Sequence, residues 1–146
     1  MISNVNPYLN FDGNAKEAFD HYRSVFGGDF AFVVRFRDFP GQMGVGEADL
    51  DKIAHIALPI GKGQMLMASD VSGQYGANFK VGNNTYIHIE ADSATDAQRI
   101  FDGLAAGGKT EMPMMKTEWA ESYGICADKF GVQWMVSYTG DVKFEG

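Results

Sequence analysis

His88 and Glu90 stand two residues apart in the stretch Asn84 to Asp92, where Ile87, Ile89 and Ala91 alternate with Tyr86, His88 and Glu90. A period of two puts imidazole and carboxylate on one face of a strand. A group that titrates near neutral pH beside an acid is the composition of an acid/base pair, and equally of a satisfied hydrogen-bond network. The same parity brings Tyr86 to that face, and Tyr8 and Asn10 to the corresponding face of an N-terminal strand. Turn lengths predict Met65, Met67 and Ser69 facing inward on one hairpin, and Cys126, Gln133, Met135 and Ser137 on another. Trp119, in the acidic run Glu118 to Glu121, is expected at the rim. The candidate ligand-binding set is therefore Tyr8, Met67, Ser69, Tyr86, Trp119, Cys126, Gln133 and Met135, with His88 and Glu90 as the candidate catalytic pair. Methionine adapts its shape to small apolar ligands, and equally fills a small core. His55 carries the parity of the opposite face and reads as structural. Cys126 has no basic neighbour in sequence that would make it a nucleophile, so it reads as a core thiol.

These residues are positioned by a repeated unit. After the strand ending at Asp92, Ser93 with Asp96 opens a helix whose apolar stripe is Ala97, Ile100, Phe101, Leu104 and Ala105, and Gly107-Gly108 closes it. The N-terminal stretch has the same grammar. Pro7, Leu9 and Phe11 alternate with polar residues, Asp12 closes the strand, Asn14 with Glu17 makes a capping-box-like start, and Gly27-Gly28 ends the helix. Asp12 and Asp92 lie 80 residues apart, as do the two Gly-Gly pairs, so the chain reads as two copies of one module. A strand is expected over Phe30 to Phe39, a surface loop over Pro40 to Asp51, and a strand pair over Ile53 to Leu58 and Met65 to Ser69. In the second copy, strands are expected at Lys109 to Met115, held to an edge or bulge by Pro113, and at Tyr123 to Ala127 and Val132 to Tyr138, joined by a four-residue turn. The boundaries are 1–72 for the first module, 73–84 for a linker and 85–146 for the second, in one compact domain.

With 45% hydrophobic residues, the 146-residue chain has enough apolar material for a core. A net charge of −7 argues against a nucleic-acid partner, since phosphate binding needs a basic surface. No apolar run suits a membrane span and no leader pattern opens the chain, so no membrane partner and a cytoplasmic location are expected.

The module order, with the runs Asn6 to Ala15 (NPYLNFDGNA), Phe26-Gly27-Gly28, His55 to Pro59 (HIALP), Leu66 to Asp70 (LMASD), Gly82 to Asn84 (GNN) and Asp128 to Val136 (DKFGVQWMV), resembles the vicinal oxygen chelate superfamily of glyoxalase, bleomycin-resistance protein and extradiol dioxygenase. Within it, these runs resemble the PhnB-like branch, often labelled 3-demethylubiquinone-9 3-methyltransferase-like. The resemblance implies an α+β fold of two βαβββ modules, an eight-stranded cup-shaped sheet with helices outside, and a homodimer. In metal-using members, His or Glu side chains converge in the cup. Those places carry over to Asn6, Met67, Tyr86 and Met135, none of them a good ligand for a hard divalent ion, so no metal ligands and no cofactor are expected. A register two residues on would bring Tyr8, Ser69, His88 and Ser137 forward instead. Nor does the chain contain the glycine-rich strand-to-helix turn that holds S-adenosylmethionine; Gly41, Gly44 and Gly46 open no helix. The expectation is a cup that binds a small, partly apolar molecule. The alternatives are a divalent-metal-dependent lyase, isomerase or dioxygenase of the glyoxalase type, or a bleomycin-resistance-like drug-sequestering protein.

Overall fold

The computed structural model describes residues 1–39 and 44–143; Gly41 and the start of the loop expected at Pro40 lie outside them. The chain forms two compact units, Met1–Lys80 and Val81–Gly146. The first runs β1 (Tyr8–Phe11), α1 (Ala15–Phe26), β2 (Phe32–Arg35), β3 (Ile53–Ile60), β4 (Gln64–Asp70) and a single helical turn, α2 (Gln74–Ala77). The second runs β5 (Ile87–Glu90), α3 (Ala94–Ala105), β6 (Lys109–Met115), β7 (Ser122–Ala127) and β8 (Gln133–Tyr138). Each makes one four-stranded sheet, in the orders β1-β4-β3-β2 and β5-β8-β7-β6. The module repeat is thus present strand for strand, and the fold class is α+β.

One face of each sheet is buried against its long helix. Ile56, Leu58, Leu66 and Ala68 lie beneath α1 with Phe19 and Tyr22; Trp134 and Val136 lie beneath α3 with Phe101 and Leu104. Gly124 sits where a side chain would collide with the Phe101 ring, at 2.9 Å from a built Cβ, so its lack of one lets α3 settle onto β7. The other face of each sheet is its open face.

The helix starts are held differently. Ser93 Oγ accepts from Asp96 N at 3.0 Å, the predicted cap of α3. Asn14, by contrast, makes no side-chain cap bond. Its place is taken from across the fold by Asp70, whose Oδ1 accepts from Gly13 N (2.9 Å) and Ala15 N (3.0 Å) and whose Oδ2 accepts from Ile53 N (2.8 Å). The strand expected over Phe30 to Phe39 is shorter, because Asp38 Oδ2 accepts from Arg35 N at 2.8 Å and folds Phe36–Asp38 into a 3₁₀ turn.

Two side-chain directions differ from the sequence reading, each by one residue of register. Cys126 is fully buried opposite Trp134, on the helix side rather than the open face. The hairpin connection has five residues, not four: Ala127 pairs with Gln133, and Asp128 N donates to Val132 O at 2.8 Å. His55 lies on the open face rather than the helix side. The register slips between Val34 and Arg35, which face His55 and Ile53, so the extra residue Ala54 lets Ile53 and Ile56 both point to the helix.

Candidate functional site

On the second open face, His88 lies opposite Met135 and Glu90 opposite Ser137. Continuing across the sheet, Met135 faces Ile125 and Ser137 faces Tyr123. Ser137 is 3% exposed and sits between the two ionisable groups. His88 Nε2 is 2.8 Å from Ser137 Oγ, and Ser137 Oγ donates to Glu90 Oε1 at 2.9 Å. Thr139 adds two bonds to the same carboxylate, from Oγ1 to Oε1 (2.9 Å) and from N to Oε2 (2.8 Å). Burial alone would raise the Glu90 carboxyl, but the Thr139 and Ser137 donors, with the attraction of His88, outweigh it and hold the group below its ordinary value. The candidate acid/base pair is therefore brought together, through a serine rather than by direct contact.

Around it lie sulfur and rings. Tyr123 Oη donates to Met135 Sδ at 3.1 Å, and Trp119, 44% exposed, meets the Tyr123 ring edge to face at 5.3 Å. Tyr86 Oη donates to Glu111 Oε2 at 2.8 Å, a bond that raises the phenol above its ordinary value together with burial and the acid's charge. Gln133 is buried, its Nε2 donating to Thr85 O at 2.8 Å. Cys126 belongs to the other side of the sheet. Burial, with the charges of Asp128 and Glu111, pushes its thiol up to about 11.

On the first open face, Tyr8 lies opposite Met67, and Ser69 Oγ is 3.4 Å from Asn10 Oδ1. His55, missed as a candidate, is the centre here. Its Nδ1 is 3.0 Å from Tyr8 Oη, and its ring stacks on Tyr8 (5.5 Å) and Phe32 (4.7 Å). Burial lowers the imidazole below its ordinary value. The other residue missed is Asp128, 4% exposed, whose Oδ1 accepts from Phe130 N (2.8 Å) and Val132 N (3.0 Å) and whose Oδ2 accepts from Trp134 Nε1 (2.8 Å). The available signal was an acid opening a turn one hairpin before a tryptophan.

The superfamily's metal positions do not fit a hard divalent ion here. Asn6 Oδ1 accepts from Met65 N at 3.0 Å, Tyr86 is tied to Glu111, Met135 takes the Tyr123 hydroxyl, and Met67 offers only a thioether. In the alternative register, Tyr8, Ser69, His88 and Ser137 are each engaged with a protein partner. Among the described residues, no three His, Cys, Asp or Glu side chains converge on a point that could hold a metal. No helix among them is long and apolar enough to cross a membrane.

Two four-stranded sheets built from the same βαβββ unit define a protein of the glyoxalase/bleomycin resistance fold. A glyoxylase/bleomycin resistance protein/dioxygenase domain from Frankia sp. EAN1pec shares that fold, with a TM-score of 0.60 and 13% identity over 95% of this chain and 97% of that one. More narrowly, the chain belongs to the family described as 3-demethylubiquinone-9 3-methyltransferase, the PhnB-like branch, whose model matches residues 3–137. Protein YjdN of Escherichia coli K12 is 29% identical over 141 residues, 91% of this chain and 93% of that protein. The crystal structure of PA1353 from Pseudomonas aeruginosa matches with a TM-score of 0.83 and 36% identity, covering 94% of this chain and 98% of that one. A PhnB protein from Bacillus cereus matches with a TM-score of 0.74 and 22% identity, covering 93% and 99%.

Proposed function

We propose that this PhnB-like protein binds a small, partly apolar molecule on the open face of its second sheet, with His88 as the polar contact and without the superfamily's metal. The observation that carries this reading is the His88–Ser137–Glu90 chain set beside Met135, Tyr123 and Trp119: an imidazole held in place next to polarizable sulfur and ring surface. Few polar groups among apolar ones is how small-molecule sites are made. Where the bound molecule reacts, His88 is the acid/base group and Glu90 its positioning residue. The family's methyltransferase label gains no support from the helix starts. The amides at the start of α1 are taken by Asp70 and α3 is capped by Ser93, so neither offers the open glycine turn that holds a nucleoside cofactor. The resemblance supports a homodimer.

A thermal-shift screen of small aromatic and alkyl compounds tests the reading, using wild type, His88→Ala and Trp119→Ala, both exposed positions. Ligands of this face raise the wild-type Tm by mass action and lose most of that rise in the variants. Rises that neither substitution changes would move the ligand elsewhere.

A further inference from the structure

The count of protons along the second open face fixes the kind of polar group it accepts. Resting on the binding reading above, we infer that His88 presents an unprotonated Nδ1 to the ligand, so that the face selects small apolar molecules carrying a hydrogen-bond donor, a phenol or enol O–H, over analogues that only accept.

Three donors converge on Glu90: Ser137 Oγ and Thr139 Oγ1 on Oε1, and Thr139 N on Oε2. An ionised carboxylate only accepts and makes the stronger, charge-assisted bonds to all three donors, whereas a protonated one has a weaker acceptor in its hydroxyl oxygen. The same contacts hold the carboxyl below its ordinary value against the opposing effect of burial. Serine has one proton, and here it is spent on Glu90. What Ser137 turns toward His88, 2.8 Å away, is a lone pair, so the hydrogen in that contact sits on Nε2. A neutral imidazole carries one N–H, which leaves Nδ1 bare. Among the described residues no hydrogen-bond partner of Nδ1 is found, and the ring is exposed.

The surroundings set the rest of the ligand. Across from His88 the strand register places Met135, then Ile125, then Met112, a strip of two thioethers and one branched chain. Cross-strand neighbours stand close enough for one small ring to touch His88 and Met135 together. Sulfur makes favourable contacts with aromatic rings. A phenol laid on this strip brings its hydroxyl to Nδ1. Its methyl ether would set an acceptor against an acceptor and leave Nδ1 unpaired.

The test has two arms, both at a pH where the imidazole is neutral. Long-range ¹⁵N correlation spectra of the ligand-free protein, with His88 assigned from His88→Ala, report which ring nitrogen carries the proton. Wild type is expected to show Nε2–H, and Ser137→Ala a mixture of tautomers; Nδ1–H as the major wild-type form overturns the proposal. The second arm compares a 4-alkylphenol with its methyl ether by calorimetric titration. The phenol is expected to bind on the order of tenfold tighter. Equal or tighter binding of the ether overturns the donor selection, whatever the tautomer. Binding of neither overturns the ligand reading itself, and the ligand-free spectra then show separately whether the proton count was sound.

Discussion

Both sheets carry a histidine and a tyrosine on the open face, in exchanged places. In the first, tyrosine is on the leading strand and histidine on the third: Tyr8 lies opposite Met67, and its hydroxyl meets His55. In the second, His88 takes the leading strand opposite Met135, and Tyr123 takes the third. The polar side chain two residues further along the leading strand differs as well. Asn10 is neutral and makes only a 3.4 Å contact with Ser69, while Glu90 takes the Ser137 proton at 2.9 Å. The first face carries a stack of Phe32, His55 and Tyr8, and on the second the exposed His88 ring meets Ser137 Oγ through Nε2. One histidine is held between rings by a tyrosine hydroxyl, the other by a serine bonded to a carboxylate.

The largest effects lie beneath those faces, where each unit has a buried carboxylate with three donors. Asp70→Ala should cost about 3 kcal/mol or more, read from denaturant unfolding, because it strands three N–H groups of two elements. Asp128→Ala should cost less, since the Phe130, Val132 and Trp134 N–H groups it accepts from lie within one hairpin. An equal loss would mean the units are anchored alike. Next is the amide–acid exchange. Glu90→Asn should cost roughly 1 kcal/mol, the worth of exposed charge-assisted bonds after solvent screening. Its pH signature has a definite sign. The folded carboxyl lies below its unfolded value, so its stabilisation is full above about pH 4.3 and is lost as pH falls through the folded value. Glu90→Asn should flatten that acid limb; an unchanged limb would sink the assigned role.

Tyr8→Phe is smaller, about 0.5–1 kcal/mol by thermal unfolding. On this face the pH trend comes from His55, whose folded value is lowered by burial. Stability is complete above the unfolded histidine value, about 6.5, and declines as pH falls from there toward the folded one. Melting curves at pH 8 and pH 5.5 should show that decline in wild type and lose it in His55→Phe. The smallest effect is at Cys126. With its thiol buried and pushed up to about 11, iodoacetamide at pH 8 should leave the native protein unmodified, as mass spectrometry would report, and modify it once unfolded. Ready labelling of the native protein would return Cys126 to the open face.

Much of this was legible because alternation and capping are local. The strand–helix grammar around Ile87 to Ala105 gave β5, α3 and the Ser93 cap, and Pro113 gave β6 its edge and its irregular register. What was not legible depends on distant partners or on one extra residue. A five-residue turn read as four moved Cys126 to the wrong face, and the bulge at Ala54 did the same to His55. Asp70 looks like any acid at a strand end until α1 and β3 bring their amides to it. His88 and Glu90 were legible as a pair, but Ser137, 47 residues beyond Glu90, was recognised only as inward-facing, and its place between them comes from parallel pairing of β5 with β8.

β6 is the longest edge strand in either sheet, and it is the one that carries a proline and two breaks in register. A seven-residue edge with an unbroken ladder would be a template for another chain. Pro113 offers no N–H, and the slips on either side of Met112 put the remaining donors and acceptors out of step. What a strand-by-strand comparison would score as a defect makes this edge a poor template for a second copy of the chain.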